Sequence, residues 1–194
     1  QAKAIGERAA TLSNLSDQAG TVSSLFDNEV PAMDVRDITQ LVTEVVDEFS
    51  DAHPDATLTT HEHGSVRARA DSRLKTALSE LVENAILHND QPNPEVTVTT
   101  SPSSGERTGD WIEIVIADNG RGIPDHERKT IESGEETPLQ HGTGLGLWIV
   151  YWTVSLYGGE VSLEDNSPRG TRVVLSLPQA TVGSSPRITP ADRH

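Results

Sequence analysis

Residues Ile112–Pro124 read IEIVIADNGRGIP. Ile112, Ile114 and Ile116 recur every second residue, the period of a strand with one covered face. Asp118 ends the strand, and Asn119–Gly120–Arg121–Gly122 turns at once. Such a junction suits an ordinary turn. It also suits a recognition site. A carboxylate at the bottom of an apolar pocket accepts a hydrogen bond from an exocyclic amine, such as that of adenine. The glycines at 120 and 122 let the backbone approach a flat ring, and Ile123 can pack against it.

Downstream lies HGTGLGLWIV, His141–Val150. It is neither the GxGxxG dinucleotide fingerprint nor the GxxxxGK[ST] phosphate loop. Its glycines run G-x-G-x-G and open straight into a helix. Amides at such a start point outward and favour anions, which makes a phosphate cradle without a lysine; tight helix packing is the plainer alternative. Upstream, Asp71 is placed to cap a helix from Ser72 to about His88. Leu74, Ala77, Leu78, Leu81 and Ala85 form its apolar stripe. Glu80 and Asn84 fall one turn apart beside that stripe, with His88 near them. A solvated polar face would look the same. A carboxylate and a carboxamide at this spacing are also what magnesium takes, since it keeps waters and phosphates for its other ligands.

The remaining pattern frames these segments. Ile5, Leu12, Ala19 and Phe26, with Leu15 and Val22, make an a/d seam over about three heptads. Residues 1–27 therefore read as one long bundle-forming helix, ended at Val30–Pro31. A broader amphipathic helix covers Asp37–Phe49. Strands are expected at 57–60 and 66–69 around a turn at His63–Gly64, then at 95–100 and 112–117. A short helix is expected over 125–132, a helix over 145–157, and strands over 160–164 and 171–177. The order predicts an α/β protein: a two-layer sandwich whose mixed sheet is covered by helices on one face. Three segments follow: 1–30, the bundle helix; 31–179, the α/β domain; and 180–194, a polar, disordered tail.

Composition narrows the function. Apolar residues make 34% of the 194, but aromatics only 4%, so the core is aliphatic. Asp and Glu number 30 against 15 Lys and Arg, a formal charge of −15, which argues against a nucleic-acid partner. Lys3, Lys75 and Lys129 are the only lysines. Such a surface suits a salt-rich cytoplasm, where screening confines self-repulsion to about 3 Å at 1 M salt. No cysteine is present, so disulfides and thiolate chemistry are excluded. There is no signal-peptide pattern and no apolar run of spanning length, so this segment is expected to be cytoplasmic, without membrane contact. The sequence starts at Gln1 and its one methionine is Met33, as in a piece of a longer polypeptide.

Taken in order and spacing, ELVENAILH (Glu80–His88), DNGRGIP (Asp118–Pro124) and HGTGLGL (His141–Leu147) resemble the N, G1 and G2 boxes of the GHKL ATPases. That superfamily includes histidine kinases, gyrase-type topoisomerases, mismatch-repair ATPases and a heat-shock chaperone, and has the Bergerat fold. The resemblance covers about residues 34–178. It implies ATP and Mg2+ as ligands. Asp118 would take the adenine amine, with Gly120, Gly122 and Ile123 lining the base and Thr171 on the strand beside it. Gly142, Thr143, Gly144, Leu145, Gly146 and Leu147 would fold over the phosphates as the end of a mobile lid. Asn84 would hold magnesium.

The seam over 1–27 resembles the second helix of the histidine-kinase dimerisation hairpin. The short lid and Gly158–Gly159 before a strand look like the same branch, and the acidic composition and HGTGLGLWIVYW resemble archaeal, halophilic kinases. The implied function is the kinase core of a two-component sensor. It would homodimerise through the N-terminal helix and pass the γ-phosphoryl to a histidine, then to a response-regulator receiver domain. Three departures stand out. Glu80 replaces the usual asparagine, so it either polarises a nucleophile or orders the magnesium shell. Leu87 replaces a lysine, leaving phosphate contact to His88 or backbone amides. None of the seven histidines sits where a phosphoacceptor would, so that residue is expected on a helix not in this sequence. Two alternatives remain: a stand-alone ATPase or serine kinase of the same superfamily, and a degenerate nucleotide-sensing dimer scaffold.

Overall fold

The structure, a computed structural model, describes residues 32–103, 110–123, 128 and 144–180. The helix expected over 1–27, the one over 125–132 apart from Arg128, and the tail from 181 lie outside the described residues. Ten elements follow in chain order: β1 (Asp34–Asp37), α1 (Ile38–Ala52), β2 (Thr57–Glu62), β3 (Arg67–Ala70), α2 (Ser72–Leu87), β4 (Glu95–Ser103), β5 (Trp111–Asp118), α3 (Gly144–Leu156), β6 (Glu160–Asp165) and β7 (Thr171–Pro178).

Five strands form one sheet in the order β2-β4-β5-β7-β6. The β2–β4 pair is parallel and the other three are antiparallel, so the sheet is mixed as expected. The strands flanking His63–Gly64 do not pair with each other. β2 joins the main sheet, while β3 pairs with β1 in a separate two-stranded ribbon. β1 has no periodic signal of its own. It is a strand because its backbone completes the β3 ladder.

Alternation decides which face is covered. Val96 and Val98 on β4, Ile112, Ile114 and Ile116 on β5, and Val173, Leu175 and Leu177 on β7 are buried in one core with the helices. Of the intervening residues, Thr97, Thr99, Glu113, Ala117 and Arg172 are half-buried, while Val115, Val174 and Ser176 are buried outside the helix-covered core. One apolar face therefore takes all three helices. α1 inserts Ile38, Leu41, Val42, Val45 and Val46, and Asp37 caps it by accepting from the Gln40 N–H at 3.1 Å. α3 ends in a glycine cap. The Gly159 N–H bonds Val154 O and the Gly158 N–H bonds Ser155 O, both at 2.9 Å.

Asp71 caps α2 as predicted, accepting from the Arg73 N–H at 2.9 Å. It also takes the Arg73 guanidinium at 2.5 Å and the Tyr157 hydroxyl at 2.8 Å. This buried cluster pins the start of α2 to the residue that follows α3. Nothing in the spacing of the three residues announces it, because Tyr157 is 86 residues away.

Candidate active site

β5 carries Asp118 in the same phase as Ile112, Ile114 and Ile116, so its carboxyl stands on the helix-covered face. Ile116 pairs with Val173, and the next position of that phase on β7 is Thr171. Two polar residues therefore end two apolar columns side by side. The Asp118 Oδ1 accepts from the Gly120 N–H at 2.7 Å and the Thr171 N–H at 3.3 Å. Burial pushes the Asp118 carboxyl above its ordinary pKa. The Gly120 and Thr171 donors pull the other way, and the charge of Asp90 adds to the rise.

The turn beyond the strand is built close to that carboxylate. A Cβ on Gly120 would lie 2.9 Å from Asp118 Oδ1. Gly122 has φ +84° and Ile123 packs on the core. Gly170, with φ +113°, lies so near the Asp118 carbonyl that no side chain fits between them. The neighbouring turn holds on from below: Asn166 Nδ2 donates to Asp118 O at 2.7 Å. On the other side Asn89 Nδ2 donates to Asn119 Oδ1 at 2.8 Å. Asn89, Asn166 and Gly170 were not singled out by sequence reasoning. The DNSPRG turn before Thr171 and the Asn-Asp after α2 were the available signals.

α2 runs away from this end of the sheet. Half-buried Glu80 and Asn84 sit one turn apart on it, and the first turn of α3 lies against them. A Cβ on Gly146 would approach Glu80 Oε2 to 2.5 Å and Asn84 Nδ2 to 3.2 Å. A side chain at 146 would have to push the Glu80 carboxylate and the Asn84 amide aside. Asn84 Nδ2 is buried with no hydrogen-bond partner among the described residues. An amide can turn its Oδ1 into the same place, so the position fits an oxygen ligand for a hard cation. Glu80, Asn84 and His88 are spaced four residues apart, about 6 Å per step along the axis. His88 is the exposed C-cap of α2, its N–H bonded to Asn84 O at 3.1 Å. From His88 back to Glu80 the helix thus spans about 12 Å.

Glu80, Asn84 and Gly146 meet where α2 and α3 touch, with Leu147 packed on the core beside them. Asp118, Gly120 and Thr171 meet at the sheet end, with Gly122 and Ile123 in the same turn. Gly144 and Leu145 lie in α3, and nothing is described of the Leu145 side chain. Gly142 and Thr143 lie outside the described residues. No group of three His, Asp or Glu side chains that could hold a metal occurs among the described residues. No helix among them is long and apolar enough to cross a membrane.

The two-layer α/β domain thus carries a half-buried carboxylate, Asp118, at the sheet end and a carboxylate–carboxamide pair, Glu80 and Asn84, under the first turn of α3. The model for "Histidine kinase-, DNA gyrase B-, and HSP90-like ATPase" matches residues 69–181, and the chain belongs to that family. The sensor-type histidine kinase PrrB of Mycobacterium tuberculosis is 31% identical over 173 residues, 87% of this chain and 36% of the relative. The chain thus spans about a third of the length of that curated relative. Among solved structures, the ATP-binding domain of PrrB is similar with a TM-score of 0.61 at 24% identity, covering 78% of this chain and all of that one. Full-length ShkA in complex with AMPPNP is similar with a TM-score of 0.73 at 23% identity, over 94% of this chain and 39% of that one.

Proposed function

We propose that this chain is the ATP-binding kinase core of a two-component sensor histidine kinase. The observation that carries the reading is the Asp118–Thr171 pair at the sheet end, together with the buried, unpartnered Asn84 amide beside Glu80 under Gly146. The name of the PrrB relatives, sensor-type histidine kinase, supports the same choice.

In this reading the Asp118 carboxylate accepts the adenine amine. Its position is held by Gly120, Thr171 and Asn166 before any ligand arrives, so little ordering remains to be done on binding. Gly120 and Gly122 admit the ring, and Ile123 packs on it. The amides that open α3, with Gly142 and Thr143 before them, face the phosphates. Asn84 holds Mg2+, which when bound neutralises phosphate charge. Transfer breaks the bond from the γ-phosphorus to the bridging oxygen of ADP and forms a bond to a histidine nitrogen. Positioning and charge neutralisation supply most of the rate. The acceptor histidine belongs to a dimerisation hairpin, and a receiver-domain aspartate takes the phosphoryl next. The segment works on the cytoplasmic side.

Calorimetric titration with ADP and ATP, with and without magnesium and in molar KCl, tests this. Binding by the wild type that Asp118→Asn removes supports it. A folded wild type that binds neither nucleotide overturns it and leaves a dimer scaffold. One observation favours a second reading: a carboxylate, Glu80, lies where it could polarise water, as in a stand-alone ATPase. Phosphate release by this chain, lost in Glu80→Ala, would decide for that reading.

A further inference from the structure

Three contacts around the end of β5 close into a ring. Asn89, after α2, bonds Asn119. Asn166, in the β6–β7 turn, bonds the Asp118 carbonyl. The third contact joins those two loops directly: the Arg169 guanidinium pairs with the Asp90 carboxylate. Residues 89 and 90 and residues 118 and 119 are chain neighbours, and 166 and 169 lie in one short turn, so the circuit is complete, with Asp118 as one of its members.

The three links are not alike. The two asparagine links are partly buried and tie each loop to the strand. The Arg169–Asp90 link is the charged one, and its side chains are 46% and 44% exposed. An exposed pair contributes little to folding. Its place is what matters: it spans the two loops over the sheet end. Without Arg169, the Asp90 charge would face Asp118 uncompensated, and the loop after α2 would keep its bonds to Asn119 but lose its link to the β6–β7 turn.

We propose that Arg169 is a positioning residue of the base site. Through Asp90 it holds the loop after α2 against the β6–β7 turn and sets the width of the site around Asp118. The inference rests on the nucleotide reading above. It concerns the base end only, so Arg169 acts on affinity for the nucleoside part and not on the magnesium-dependent part.

The test is ADP calorimetry on wild type, Arg169→Gln, the exchange Asp90→Arg/Arg169→Asp, and Asp118→Asn. Arg169→Gln is expected to weaken ADP binding about fivefold. The ratio of affinities with and without magnesium stays as in wild type, and so does the melting temperature of the free protein. The exchange restores affinity to within about twofold. Unchanged ADP binding in Arg169→Gln, with binding lost in Asp118→Asn, overturns this inference and leaves the nucleotide reading standing. A weakening that the exchange does not repair, in a folded protein, also overturns it. Absence of ADP binding in the wild type overturns both.

Discussion

Asp118 carries opposite demands. A recognition carboxylate must be charged, yet burial raises its pKa above the ordinary value of about 3.9. The sign follows from proton counting. As pH rises above the unfolded value, the native state holds its proton longer than the unfolded chain does. Stability therefore falls through that window, and the cost is fully present at neutral pH. Asp118→Asn keeps an oxygen for Gly120 and Thr171 but removes the charge. The expected outcome is loss of ADP binding with a melting temperature equal to or above wild type at neutral pH. The gap should close as the pH approaches 4. A variant that melts well below wild type at pH 7 would contradict this account. Gly146 gives a second residue-scale prediction. Alanine there drives a methyl onto Glu80 and Asn84, while alanine suits a helix better than glycine. Magnesium-dependent ATP affinity should fall by about 10- to 100-fold with stability unchanged or raised, as read by calorimetry and thermal melts.

At the scale of elements, the relation between α2 and α3 places Glu80 and Asn84 under the first turn of α3. Gly146 sets their approach at one end, and the Asp71–Arg73–Tyr157 cluster sets it at the other. Burial pushes Asp71 up, but the Arg73 and Tyr157 hydrogen bonds outweigh it and hold the carboxyl below its usual value. Burial and the bond to Asp71 push the Tyr157 hydroxyl well above its usual range, so it stays a donor at any working pH. Tyr157→Phe removes one buried hydrogen bond and should cost about 1 kcal/mol in urea unfolding. Asp71→Ala removes the cap and strands a buried guanidinium, at about 3–5 kcal/mol. Because the Asp71 pKa is lowered, its contribution is present above the ordinary carboxylate value and is lost as pH falls below it. The Asp71→Ala deficit should therefore shrink below about pH 4. A deficit that persists there would point to packing rather than charge.

Across the whole molecule, charge dominates. Thirty acidic residues against 15 basic ones give −15, spread over a domain held by an aliphatic core. Self-repulsion of that size opposes the compact state and is screened by salt. The melting temperature should rise steadily as KCl goes from tenth-molar to molar, and the charge-free osmolyte sucrose should not reproduce the steep early part of that rise. A flat salt response would mean that the carboxylates are already compensated by local pairs.

Much of this protein is legible in its sequence because local rules decide it. Period-2 isoleucines placed β5, period-3.6 aliphatics placed α1 and α2, and Asp37 and Asp71 mark helix starts that short-range hydrogen bonds enforce. The positions of Glu80 and Asn84 on α2 and of Asp118 at the end of β5 were legible for the same reason: each lies at a fixed offset from an apolar stripe. Other features depend on partners far away in the chain. β1 exists only as the ladder mate of β3, and β2 lies parallel to β4 rather than folding back on β3. Gly146 matters to the site only because α3 crosses Glu80, and Tyr157 is polar-paired only because α3 ends over Asp71. The ring of Asn89–Asn119, Asn166–Asp118 and Arg169–Asp90 joins loops that no periodicity connects. Sequence determined the elements and their buried faces, through propensity and amphipathic phase. Tertiary structure alone decided which loops meet around Asp118, because those contacts follow from the order of strands in the sheet.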